Sequence, residues 1–209
     1  MFAEILAPYP GSVHRLRIAF VPGVTPDKWA KVWRERHPDI RLELLPIDEA
    51  EQRAVLDDGA ADMTLARLPV ERERPTLLHC VVLYEELPVV VVAADHFVAA
   101  ADEVTTDDLA DEQLVLPERS GWRPTADQRD FPPMTAAEAV EVAAAGTGVV
   151  VLPMSLARLH HRKDVVHRPV ADLPATRIGL VWRVEDDGPV HQDFVGVSRG
   201  RRASSGRGA

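Results

Sequence analysis

A chain of 209 residues, 46% hydrophobic and 27% charged, can bury a real core in one large domain or two lobes, which excludes wholesale disorder. The formal net charge is −9, and the last eleven residues hold four arginines and no acid, which leaves −13 on residues 1–198 and excludes the basic footprint of a nucleic-acid binder. The single cysteine, Cys80, can form no internal disulfide; no run is long enough for a membrane span and the first fifteen residues lack signal-peptide character, so a cytoplasmic protein without membrane contact is expected.

Leu16 to Val21 reads as a first strand and Pro22-Gly23 as a turn. Thr25-Pro26-Asp27 has the order of a capped helix start, with proline at the first helical position and an acid in the first turn. Trp29, Val32, Trp33 and the stem of Arg36 then share one helical face, until His37-Pro38 stops the helix. Ile40, Leu42 and Leu44 alternate with Arg41 and Glu43, a strand period. Asp48 and Glu51 form a capping-box pattern for a second helix that closes at Gly59. Asp62 to Ala66 is a third strand, followed by a charged loop from Arg67 to Pro75. This β-α-β-α-β order suits parallel crossovers.

Two strands follow in succession, Leu77 to Tyr84 and Leu87 to Ala94. Thr105 or Thr106 can cap a short helix around Leu109, and Gln113 to Leu116 is another strand, with a loop from Pro117 to Pro133. Thr135 to Pro153 is the most informative segment. Thr135 and Glu138 form a capping box, an alanine-rich helix ends at Gly146, and Val149 to Leu152 form an apolar run suited to a strand buried on both faces. Val165 to Leu173 alternates weakly, and Arg177 to Trp182 is a late strand. The Gly/Ser/Arg tail over 199–209 has the composition of a disordered segment.

Four segments, in order, carry a family resemblance: LRIAFVPG with the later RHPDIRLELL; LDDGAADMTLARL; LPVVVVAADHFVAA with DLADEQLVL; and AAAGTGVVVLP with GLVWR. Together they span roughly residues 16–183, and the chain resembles the effector-binding domain of LysR-type transcriptional regulators, a branch of the type 2 periplasmic-binding fold. His96-Phe97-Val98-Ala99 departs from the family's His-Pro-Leu-Ala, and the stretch between Gly121 and Thr135 is short. Residues 1–15 hold no counterpart of the family's amino-terminal winged helix-turn-helix, so a module without its own DNA-binding domain is expected. The resemblance implies two α/β lobes, each a mostly parallel sheet flanked by helices, joined by two crossing strands. Lobe I would comprise 16–90 plus 170–198, and lobe II 91–169. It also implies a small, often anionic effector in the cleft between them, and a homodimer.

Open α/β sheets bind ligands beyond the carboxyl ends of their strands. On that rule the turn Gly23-Val24-Thr25 offers backbone N–H groups at a helix start, although Thr25 can equally be a simple cap. Arg67 also sits at a strand end, against the alternative of a solvated loop arginine beside Glu71 and Glu73. The resemblance adds Arg119, Ser120 and Gly121 after the Gln113 strand, and Thr147 in the second-lobe loop, with Gly146 read as structural. The eight histidines make no metal-ligand spacing. Ser120 lacks the glycines of a nucleophile elbow, and there is no phosphate loop or dinucleotide fingerprint. The reading is therefore a non-enzymatic sensor of a small effector with no cofactor. The alternatives are a domain kept as a protein-interaction module, and an enzyme on the same fold, such as the prephenate dehydratases, whose Thr-Arg-Phe signature is missing here.

Overall fold

The computed structural model describes residues 15–70 and 77–200. Two separate sheets organise the chain. The first has the order β2-β1-β3-β9-β4 and the second β6-β7-β5-β8. In the first, β1 (Arg15–Phe20) pairs in parallel with β2 (Arg41–Pro46) and with β3 (Met63–Leu68). β9 (Thr176–Arg183) lies antiparallel between β3 and β4 (Leu78–Glu86). In the second, β6 (Leu114–Val115) pairs in parallel with β7 (Val149–Pro153), whereas β5 (Pro88–Ala93) is antiparallel to both β7 and β8 (Val165–Pro169).

The two-sheet α/β architecture is the one expected, but the sheets are mixed rather than mostly parallel. The reason is the path of the chain. It leaves the first sheet at Leu87, between β4 and β5, and returns through residues 170–175, between β8 and β9. A strand arriving from the other sheet enters against the direction of those already in place. The weak alternation over 165–173 is β8 plus this return connection.

Helix α1 (Asp27–Arg36) packs over the first sheet. Its face carries Trp33, fully buried against Phe194 with ring centroids 5.6 Å apart, and the indole N–H donates to the Ile40 carbonyl at 3.2 Å. The cap expected from Thr25 is absent. Pro26 holds the N-cap position without a side-chain bond, Thr25 is exposed, and the Val24 N–H donates to the Val21 carbonyl at 3.2 Å. With proline immediately after it, Thr25 stands one residue too early to reach the free N–H groups of the first turn.

The Asp48–Glu51 capping box forms, but it opens a single 3-10 turn, Glu49–Glu51, ahead of a one-turn helix α2 (Ala54–Asp57). The expected charged loop starts later than the sequence suggested, because Arg67 and Leu68 belong to β3; residues 71–76, including Glu71 and Glu73, lie outside the described residues. The Leu109 segment is a 3-10 turn, Asp107–Leu109. Cys80 is only half-buried, on the outer strand β4.

The Thr135 segment folds as its sequence reads. Thr135 Oγ accepts from the Glu138 N–H, the Glu138 carboxylate accepts in return, and α4 (Ala136–Ala144) ends before Gly146 at φ +70°. Every residue of β7 is buried. Two helices complete the fold: α5 (Met154–Leu159), directly after β7, and α6 (Pro189–Ser198), which seats Phe194, Val195 and Val197 in the first core. No element was read from the sequence after Trp182. The Gly188-Pro189 start and the Val190/Phe194 spacing are the signals for α6, and Gly196 interrupts its apolar pattern. Of the tail, only Arg199 and Gly200 are described.

Burial holds the imidazoles of His191, His167 and His160 below the usual histidine range; at His191 nearby Asp62, Asp186 and Asp187 oppose the effect, and at His167 nearby Arg158 and Arg168 add to it. The buried His191 Nε2 has no hydrogen-bond partner among the described residues. A histidine whose folded pKa is depressed takes up its proton first in the unfolded chain. Stability is therefore full above about pH 6.5, the ordinary histidine value, and is lost as pH falls through it. Thermal unfolding followed between pH 7.5 and 5.5 should show a falling midpoint, with a shallower fall in His191→Gln.

Candidate functional site

The carboxyl ends of the parallel strands in both sheets converge on one cleft of about 480 Å³ between them. Glu49 and Gln52, beyond the end of β2, and Arg67 and Leu68, at the end of β3, line its first-sheet side. Leu116 and Arg119 come from the end of β6, and Pro153 from the end of β7. A smaller recess of about 150 Å³ continues past Ser120 toward Thr176. Its volume places the main cleft within the roughly 300–1,000 Å³ range of small-molecule sites.

Arg67 is the centre of the site. It is 4% exposed, and its guanidinium is divided between the two sheets. Nη1 donates to Glu49 Oε2 at 2.7 Å. Nη2 faces the Pro22 carbonyl at 3.2 Å, Glu86 Oε2 at 3.2 Å and, across the cleft, Ser155 Oγ of α5 at 3.3 Å. Nε is buried without a partner among the described residues. Gln52 fixes the Arg67 backbone reciprocally: the Arg67 N–H donates to Gln52 Oε1 at 3.1 Å, and Gln52 Nε2 donates to the Arg67 carbonyl at 3.1 Å. A charge this deeply buried requires paired, hydrogen-bonded partners, and Glu86, 6% exposed, supplies the inner one. Half-burial and the neighbouring Glu86 push the Tyr84 phenol up to about 12, with Arg67 acting the other way.

Arg119 meets this cluster from the second sheet. Leu116 leaves β6 in the left-handed region, φ 56° and ψ 58°, so the chain turns sharply into the short helix α3 (Pro117–Ser120). Such a conformation is uncommon for leucine, and here it aims Arg119 Nη1 at the same Glu49 Oε2, 3.0 Å away. Ser120 Oγ serves its own turn, accepting from the Trp122 N–H at 3.2 Å, and Gly121 is an exposed left-handed residue after α3.

Of the residues expected at the site, Arg67, Arg119 and Ser120 meet at the cleft. Arg67 is a buried strand residue, which removes the solvated-loop alternative. Gly23 stands at the boundary between the sheets, with no room for a side chain: a Cβ there would lie 2.5 Å from Ser155 Oγ. Val24 is buried in the first core and Thr25 points to solvent. Thr147 does not join them. It precedes β7, at the amino end of the strand, and the five-residue strand separates it from the cleft by about 17 Å at ~3.3 Å per residue. Glu49, Glu86 and Ser155 were not anticipated. Ser155 follows the carboxyl end of the buried Val149 strand, where the strand-end rule would have pointed; Glu49 lies inside the Asp48–Glu51 capping box, and nothing local in the sequence marks it out. Among the described residues no three His, Cys, Asp or Glu side chains gather as a metal site, and no helix is long and apolar enough to cross a membrane.

Comparison with known proteins identifies the family and the fold. The model of the LysR substrate binding domain matches residues 11–203. The chain is 23% identical over 181 residues to the transcriptional regulator AlsR of Bacillus subtilis (strain 168), covering 79% of this chain and 58% of AlsR. It is 27% identical over 209 residues to HcaR, the Hca operon transcriptional activator of Escherichia coli (strain K12), covering 91% of this chain and 69% of HcaR. The chain thus spans about three fifths to two thirds of the length of these regulators. Among solved structures, a BenM effector-binding domain variant aligns with a TM-score of 0.71 at 22% identity, covering 90% of this chain and 94% of that one. The reduced form of OxyR aligns with a TM-score of 0.71 at 23% identity, covering 92% and 98%. With a family model spanning nearly its whole length and the two-sheet fold of effector-binding domains, this chain belongs to the LysR substrate-binding domain family.

Proposed function

We propose that the chain senses a small anionic metabolite, bound in the cleft between its two sheets, as the effector domain of a LysR-type regulator. The observation that carries this reading is the meeting of Arg67 and Arg119, from opposite sheets, on a single carboxylate oxygen. Two guanidiniums held in that arrangement suit a planar carboxylate. Arg67 and Arg119 would bind the anion, with Ser120 and the Ser155 hydroxyl at its edge. A solved BenM effector-binding domain contains its effector, benzoate, and has the same fold as this chain at a TM-score of 0.70. The moving parts would be the two sheets with their helices, hinged at Leu87 and at 170–175; residues 88–90, expected with the first lobe, go with the second, because β5 begins at Pro88. Closure on a ligand would favour one arrangement of the lobes, the differential contact that regulation needs. The cytoplasmic location, the homodimer and the non-enzymatic role belong to the same reading, supported by the regulators among its relatives.

The test is a thermal-shift screen of small carboxylates, followed by calorimetry on each hit with wild type and Arg119→Ala. A charge-assisted hydrogen bond is worth about 1.5–3 kcal/mol, so Arg119→Ala should weaken an anionic effector roughly ten- to a hundred-fold. The unliganded variant should unfold close to wild type, because a partly exposed ion pair contributes only about 0–1 kcal/mol. Unchanged affinity in Arg119→Ala would remove the cleft as the binding site.

A further inference from the structure

Glu49 occupies the position that an incoming carboxylate would need. Its Oε2 accepts from Arg67 Nη1 at 2.7 Å and from Arg119 Nη1 at 3.0 Å, and so bridges the two sheets. We infer that Glu49 is a built-in competitor: its carboxylate holds the two arginines together, and a ligand carboxylate enters by displacing it. This inference rests on the cleft reading proposed above.

Three observations make Glu49, rather than Glu86, the displaceable partner. The Glu49 side chain is 28% exposed, whereas that of Glu86 is 5% exposed. Its departure leaves Arg67 still paired with Glu86, so no buried charge is stranded. It is carried on a 3-10 turn fixed by its neighbours, Asp48 and Glu51, which hold each other in the capping box. The turn can therefore persist while the Glu49 side chain swings to water.

The consequence is a threshold. Each ligand carboxylate must replace hydrogen bonds that already exist, so its affinity is reduced by the strength of the internal pair. Selectivity then falls on ligands that add apolar contact, against Leu116 and Met134 in the same cleft. A bare inorganic anion offers no such compensation.

Benzoate, a compact aromatic carboxylate, is the probe, titrated calorimetrically into wild type, Glu49→Gln and the double variant Glu49→Gln/Arg119→Ala. Glutamine preserves the shape of the side chain and removes the charge. Glu49→Gln is expected to bind benzoate at least about tenfold more tightly than wild type, the equivalent of one charge-assisted hydrogen bond. The double variant is expected to lose that gain. Glu49→Ala, which cannot accept from either arginine, should show the same or a larger gain. Equal or weaker binding to both Glu49 variants overturns the competitor role, and leaves the cleft reading standing if wild-type binding still depends on Arg119. Equal binding to all proteins, including the Arg119 double variant, overturns the cleft reading as well. No binding to either Glu49 variant also overturns the inference, because removal of a competitor must expose the site.

Discussion

Replacing Arg67 with methionine is expected to cost about 3–5 kcal/mol of folding stability, the amount typical of breaking a buried ion pair from one side. Methionine keeps the length and apolar character of the stem, so the loss isolates the charge. Glu86 would be left 6% exposed with no paired cation among the described residues, and Glu49, Ser155 and the Pro22 carbonyl would each lose a donor. Folding stabilities are commonly only about 5–15 kcal/mol, so this is a substantial fraction of the total. Urea unfolding of wild type and Arg67→Met measures it directly. The double variant Arg67→Met/Glu86→Gln should recover a large part of the loss, because the stranded charge is then gone. A single-variant loss below about 1 kcal/mol would mean that Arg67 is solvated and not a buried link between the sheets.

Gly23→Ala is expected to open the cleft. Gly23 has φ +87°, and a side chain in left-handed space costs about 1–2 kcal/mol. Its Cβ would also stand 2.5 Å from Ser155 Oγ and 2.9 Å from Ser155 Cβ, so α5 must move away from the β1 turn. That movement would break the Arg67–Ser155 hydrogen bond, which runs directly from one sheet to the other. Small-angle scattering should report a larger radius of gyration for the variant, and unfolding a lower midpoint. Ser155→Gly in the Gly23→Ala background separates the two causes. It should restore the spacing while the backbone cost remains. Unaltered scattering in Gly23→Ala would show that the turn can yield without disturbing the lobes.

Local chemistry made most elements readable in the sequence. Thr135, Glu138 and Gly146 bound α4 by satisfying or releasing backbone groups within a few residues, so no distant contact could overrule them. The run Val149 to Leu152 announced a strand with no solvent-facing side, and β7 is such a strand. The repeat of Trp29 and Trp33 marked the buried face of α1. Thr25 misled because its sequence fits a cap, while the backbone around Pro26 places it one residue too early. Helix α6 escaped notice because its apolar positions are few and Gly196 interrupts them; burial of Phe194 against Trp33 stabilises it instead.

The sequence by itself determined the α/β class, through segments whose periodicity and turns are set by neighbours in the chain; the two lobes and the family came from the resemblance of four segments in order. The sequence also marked Arg67 as a strand-end cation, and the resemblance added Arg119. Only the tertiary structure decided how those cations are used. Arg67 and Glu86 are 19 positions apart, Arg67 and Glu49 18, and Arg119 and Glu49 70. No periodic pattern joins such residues; Arg67, Glu49 and Glu86 meet because β3, β2 and β4 share one sheet, and Arg119 reaches Glu49 because the chain has crossed to the other sheet at Leu87. The mixed strand directions follow from that crossing and the return through residues 170–175. So does the distance of Thr147 from the cleft: the direction of β7, fixed by its pairing with β5 and β6, turns Pro153 toward the site and Thr147 away from it.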